Sequence, residues 1–312
     1  MQDSWRKYFR VGVIQFMMFT DSPGNDARTI ETARQVFLDD FFGTLAVGRM
    51  SDDAMKALKS MAADAHASLA ISAAPFILGN KLNLANLDEA GRRATVEALK
   101  KSVDDAYFLG SPMLEVLDGG QSYPGPEKEQ QAVDQLVRSL KELCQYAEST
   151  ANGRTPLWIV LETFDRAIDK KSLVGPSELA VQVAKRVREE HPRFGLTIDM
   201  GHLPLIGERY VNSLKTASEY IVHAHLGSCI KDDPSHAYYG DSHPAFGAEG
   251  GAADVEELTE FFAALQEIGY FEKQLPTGRP WLTFEVKPQS GQSPELVMAN
   301  CKRVLKEAWA RL

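Results

Sequence analysis

The sequence predicts an α/β protein built as a closed (β/α)8 barrel, the TIM-barrel architecture. Three observations predict it. Short apolar runs of strand length alternate with longer amphipathic stretches, and the alternation repeats eight times. The chain has 312 residues, an ordinary length for one such barrel. Finally, no Pro/Ser/Gly-rich linker and no glycine-rich dinucleotide fingerprint breaks the series. A single domain over 1–312 is therefore expected, with closure favoured over an open doubly wound sheet.

The strands are expected at 10–17, 43–49, 68–76, 113–118, 157–164, 194–200, 220–226 and 280–286. Helical periodicity is clearest over 52–66, 89–108, 128–149, 177–190, 255–268 and 295–310. Ser51-Asp52-Asp53 and Pro176-Ser177-Glu178 carry helix-start chemistry, and Gly110 and Gly269 sit just past helix ends, where a left-handed residue is favoured.

Bulk composition narrows the function. Hydrophobic residues make up 44% and charged residues 25%, enough for a large buried core. A net charge of −9 argues against a nucleic-acid partner, because phosphate binding needs a basic face. Cys144, Cys229 and Cys301 form no close pair, so no disulfide framework or zinc ribbon is implied. The first ten residues mix charge and aromatics without the apolar core of a signal peptide, and no run approaches a membrane span. A cytoplasmic enzyme with no membrane partner is expected.

In such barrels the chemistry sits at the C-terminal ends of the strands. The last four expected strands each close on an ionisable residue: Glu162, Asp199, His225 and Glu285. Each directly follows an apolar run, where burial without a partner is costly. A single acid there reads as a helix cap or surface charge, but four in a row read as a metal shell. Three oxygen donors and one nitrogen suit Mn2+, Mg2+, Co2+ or Zn2+.

The motifs Leu161-Glu162-Thr163, Asp199-Met-Gly-His202, His223-Ala-His225 and Phe284-Glu285-Val286, in this order, resemble the xylose isomerase-like barrels. The resemblance is to the ketose 3-epimerases of tagatose epimerase type and to the sugar phosphate isomerase/epimerase group. It implies one divalent ion, Mn2+ first, held by Glu162, Asp199, His225 and Glu285. It also implies that Glu162 and Glu285 act as acid/base groups on opposite faces of a sugar, while His202 contacts a substrate oxygen. Lys231 stands where the epimerases typically carry an arginine that holds a sugar hydroxyl, a departure that alters hydrogen-bonding geometry. The implied reaction is proton abstraction beside a carbonyl through an enediolate, and a homo-oligomer is a family expectation.

Further substrate contacts are expected from Glu115 and from Lys287, which shares the parity of Glu285. Gln15 and Asp118 occupy or follow strand ends. His223 reads as an orienting core residue, Cys229 as a packed small residue, and Arg166, His236 and His243 as loop residues at the surface. The long segment 231–253 carries Tyr238-Tyr239-Gly240, and its Pro244-Ala-Phe-Gly247 replaces a shorter family turn.

Other functions remain open on the same scaffold. A metal-dependent lyase would dehydrate a keto-inositol or cleave a 3-keto-glycoside. The latter resembles the large subunit of bacterial C-glycoside deglycosidases, which work with a small β-rich partner; Phe16-Met17, Asp39-Asp40-Phe41-Phe42 and Leu82-Asn83-Leu84 carry that likeness. An apurinic-site endonuclease is disfavoured by seven histidines and the acidic charge. A non-catalytic carbohydrate-binding barrel would lack metal affinity.

Overall fold

Eight parallel strands pair in sequence order, and the eighth returns to the first through the register Arg10↔Trp281 to Val13↔Phe284. They are β1 (Arg10–Ile14), β2 (Thr44–Val47), β3 (Ser68–Ser72), β4 (Met113–Val116), β5 (Trp158–Glu162), β6 (Phe194–Asp199), β7 (Ile221–Leu226) and β8 (Trp281–Phe284). The structure is a computed structural model that describes residues 4–312; residues 1–3, the start of the expected 1–312 domain, lie outside the described residues. Among the described residues no helix is long and apolar enough to cross a membrane.

Eight main helices wrap the barrel: α1 (Asp26–Phe37), α2 (Asp52–Asp64), α3 (Glu89–Leu109), α4 (Glu129–Ser149), α5 (Ser177–Arg188), α6 (Tyr210–Ala217), α7 (Val255–Glu267) and α8 (Pro294–Ala310). Their starts are chemically marked. Ser51 accepts from Ala54 N–H ahead of α2, and Asp254 with Glu257 forms a capping box on α7. Gly110 ends α3 at φ 73°, a conformation that costs glycine little.

Two expected strands were too long. Residues Gln15–Met18 and Ala74–Gly79 turn into short helices instead of extending β1 and β3. A continuous apolar run carries no period that separates a strand from a buried helical turn. Pro75 sits in the first turn of its helix, where a missing N–H costs nothing.

Inside the barrel, side chains stack in layers. Ile14, Ala46, Ala70, Met113, Val160, Val222 and Trp281 form a small apolar cluster separate from the main sheet–helix core. Val222 enters it through an irregularity in the β6–β7 register, where Leu196 pairs with Ile221 but Thr197 pairs with His223. Space for it comes from Gly195, where an added Cβ would lie 2.5 Å from Val222 Cγ2. After the irregularity Asp199 stands opposite His225, and His225 opposite Thr283. The bulge therefore sets which β7 side chains face the mouth.

Gly195→Ala is expected to destabilise the protein by about 1–3 kcal/mol through overpacking. The urea midpoint should fall with an unchanged slope; an unchanged midpoint would show that Val222 yields freely.

Candidate metal centre

Glu162 is the last residue of β5, Asp199 the last of β6, and His225 lies one residue before the end of β7. Glu285 directly follows β8. One donor atom from each lies within 4.8 Å of the other three, and all four residues are buried. His225 Nδ1 is the point of convergence: Glu285 Oε2 lies 2.8 Å from it, Glu162 Oε1 3.0 Å and Asp199 Oδ2 3.8 Å. Asp199 Oδ1 accepts from Gly201 N–H, while Asp199 Oδ2 is buried without a hydrogen bond. An orphaned carboxylate oxygen among acidic neighbours is what a cation site requires.

The electrostatics carry the same message. Burial opposes a charge on His225, yet Glu115 and Glu162 outweigh it and hold the imidazole well above its usual range. A proton on this ring stands where a metal ion would neutralise the same carboxylates. Burial, then the charge of Glu285, pushes Glu162 well above the usual carboxylate range. Burial acts on Glu285 too, but His243 and the hydrogen bond from His225 bring it down to about 2. The two glutamates are thus driven apart in proton affinity.

Beneath the quartet lies its support. Glu115 Oε2 sits 3.2 Å from His225 Nε2 and 3.3 Å from His223 Nδ1, and accepts from Thr197 Oγ1 at 3.0 Å. His223 Nε2 faces Thr283 Oγ1 at 2.8 Å. A carboxylate behind an imidazole would orient its ring if that ring held a metal ion. Glu115, expected to touch substrate, lies buried against His223 and His225.

His202 lies at the centre, with Nδ1 donating to Thr163 O at 2.7 Å and its ring 4.4 Å from that of Phe164. Two expected contacts are not brought there. Lys231 pairs with Asp232 at 2.7 Å and lines a recess with Arg209, Tyr210 and Glu260, so the chain leaving β7 points it outward. Lys287 is exposed: β8 ends at Phe284, and strand parity no longer governs its direction.

The remaining candidates each have partners within the protein. Gln15 Nε2 donates to Thr32 Oγ1 at 2.7 Å. Asp118 is buried and accepts from Leu173 N–H at 2.7 Å. Arg166 donates to Glu129 at 2.9 Å and to Leu173 O at 2.7 Å. His236 accepts from Tyr238 N–H at 3.1 Å, and burial pushes the Cys229 thiol up to about 12.

Sequence reasoning missed three groups. His243, expected at the surface, is buried with Nδ1 donating to Glu285 O at 3.1 Å. Asp241 and Lys170 join it at the centre, with Asp241 Oδ1 2.8 Å from His243 Nε2 and Oδ2 2.8 Å from Lys170 Nζ. Asp199, His202 and His243 also offer donor atoms within 4.8 Å of one another. All three missed groups sit in loops, where no periodicity marks direction; the i, i+2 spacing of Asp241 and His243 was the available signal.

Glu115→Gln is expected to weaken Mn2+ binding by about 10–100-fold, read by isothermal titration calorimetry. Lys231→Ala should leave that affinity unchanged. Equal affinities for all three proteins would reject the supporting role of Glu115.

The comparisons with known proteins agree with the barrel fold. The crystal structure of the IolI protein with a bound zinc atom superposes with a TM-score of 0.72 at 17% identity, covering 97% of this chain and 99% of that one. D-psicose 3-epimerase with D-tagatose, from Clostridium cellulolyticum H10, gives 0.65 at 17% identity over 97% and 96%. For 3-keto-D-glucoside 4-epimerase from E. coli, the values are 0.67 and 12% over 96% and 99%. No curated protein sequence matches. Residues 28–307 match the family described as xylose isomerase-like TIM barrel, and the chain belongs to that family.

Proposed function

We propose that this protein is a divalent-metal-dependent sugar isomerase or epimerase that removes and returns a proton beside a carbonyl, through an enediolate. One observation carries the reading. Glu162 and Glu285 reach His225 Nδ1 from two different strand ends, at 3.0 and 2.8 Å, within a buried four-residue group that could hold a metal ion. A pair of carboxylates beside one ion supplies the two acid/base groups such a reaction needs.

Glu162, Asp199, His225 and Glu285 would hold the ion, Mn2+ first and Mg2+, Co2+ or Zn2+ as alternatives by donor type. When bound, the ion supplies Lewis-acid polarisation of a sugar carbonyl. The two glutamates, both beside His225 Nδ1, would take a proton from one face of the carbon and return one to the other. His202, fixed through Thr163 O, is placed to meet a substrate oxygen. The substrate is a small sugar, as it is for the structurally similar epimerases.

A second reading is favoured by a cavity of about 400 Å3 across the mouth, at the ends of β1 to β3. Phe16, Met50, Pro75 and Phe76 line it, and Arg49 lies 4.0 Å above the Phe76 ring. Its wall combines the rings of Phe16 and Phe76 with the polar groups of Gln15, Asp26, Arg49 and Asn80, a lining that suits a ring-bearing sugar such as a keto-glycoside, on which the same site would act as a lyase.

The deciding experiment uses Mn2+-loaded protein in D2O with D-psicose, D-fructose and D-tagatose, and separately with an aryl 3-keto-glucoside, followed by NMR. The expected result is deuterium beside the ketose carbonyl together with an epimer or aldose. Glu162→Gln and Glu285→Gln should each slow exchange by about 10²-fold or more, and EDTA should abolish it. Release of the aryl group with inert ketoses would install the lyase reading. Exchange that survives in both glutamate variants would reject the acid/base pair.

A further inference from the structure

Asp241 lies in the long segment between β7 and α7, but its side chain is buried at the centre. Its carboxylate gathers groups from three different loops. Lys170, after β5, sits 2.8 Å from Oδ2; His202, after β6, and His243, after β7, place Nε2 at 3.1 and 2.8 Å from Oδ1. The far nitrogen of each ring is also taken. His202 Nδ1 donates to the carbonyl of Thr163, which directly follows Glu162, and His243 Nδ1 donates to the carbonyl of Glu285 itself. Each imidazole therefore stands between Asp241, at ion-pair distance, and a hydrogen-bonded backbone carbonyl beside one of the two glutamates.

Each ring is hydrogen-bonded at Nδ1 and faces the Asp241 carboxylate at ion-pair distance through Nε2, which sets the orientation of the imidazole. Lys170 is itself carefully presented. Asp165 caps the loop by accepting from the N–H groups of Ile168, Asp169 and Lys170, and Gln121 N–H donates to Lys170 O at 2.7 Å. A loop tether would need one partner, whereas Asp241 has three.

We propose that Asp241 is a positioning residue: through His202 and His243 it fixes the separation and aim of Glu162 and Glu285, while Lys170 compensates its charge. The proposal rests on the acid/base reading of those two glutamates. A displacement near 1 Å at a reacting group slows chemistry by about 10²-fold without weakening substrate binding in proportion. Loss of Asp241 should therefore act on kcat rather than KM.

The test is Asp241→Asn, which keeps the shape and removes the charge. Imidazole 15N signals of His202 and His243 are read in Mg2+-loaded protein, assigned with single His→Gln variants. Exchange kinetics with D-psicose are read in parallel. The expected result is displaced ring signals for His202 and His243 but not His223, with kcat lowered about 10²-fold and KM within about twofold. Unchanged rings and unchanged kcat would overturn the proposal. Two ions per chain in the wild type and one in Asp241→Asn would overturn it as well, by making Asp241 a ligand. If the wild type exchanges no ketose, the functional reading falls, while the ring signals still decide the positioning role. If Asp241→Asn does not fold, Lys170→Met carries the same ring measurement: displaced signals support the proposal, and unchanged ones overturn it.

Discussion

Three carboxylates that meet around one imidazole nitrogen, sealed from water, set the terms for the mouth of this barrel. Glu162, Asp199 and Glu285 surround His225 Nδ1, with Glu115 behind the ring and Asp241 nearby; all are buried. Isolated buried carboxylates are too costly to persist as bare anions. Every polar neighbour answers that cost. Lys170 lies against Asp241, Gly201 N–H against Asp199, and His243 beside Glu285. The answer stays incomplete, because Asp199 Oδ2 and both Asp241 oxygens lack hydrogen bonds. A buried cluster of acids and imidazoles with such unanswered groups fits a metal site.

The barrel permits this arrangement because its strands are rigid and its layers are separate. An apolar cluster that includes Met113, Val160, Val222 and Trp281 fills part of the interior. Thr197, Glu115, His223 and Thr283 form one chain of polar contacts, and Glu115 lies 3.2 Å from His225 Nε2.

How much of this the sequence disclosed follows from where periodicity holds. On β5 to β8 each ionisable residue ends an apolar run, so strand parity located Glu162, Asp199, His225 and Glu285 together. Parity failed one step beyond the strands: Lys287 has the right count but no strand beneath it. Nor does parity carry depth: Glu115 faces inward and meets His223 and His225. Asp241, His243 and Lys170 reach the centre through loops stitched by side-chain and backbone hydrogen bonds such as those of Asp165 and Gln289. No local pattern encodes such long-range pairing. The same holds for the helical turns at Gln15 and Ala74, where an unbroken apolar run hid a change of direction.

Those two turns bear on specificity. Had β1 and β3 continued as strands, Phe16 and Phe76 would have alternated between barrel interior and helix layer. As helical turns they line a common cavity with Met50 from the loop after β2. The mouth is thereby divided, with ionisable groups at the ends of β5 to β8 and a recess at the ends of β1 to β3. Ile14 joins the halves, since β1 pairs with β8 one residue before Ile14 and Glu285. On the proposed reading, groups on the ionisable half would act as charge develops, whereas the recess would bind ground and transition state alike. Chemistry and substrate choice would then reside on different strands, and the strands that line the recess are those whose ends the sequence misreads.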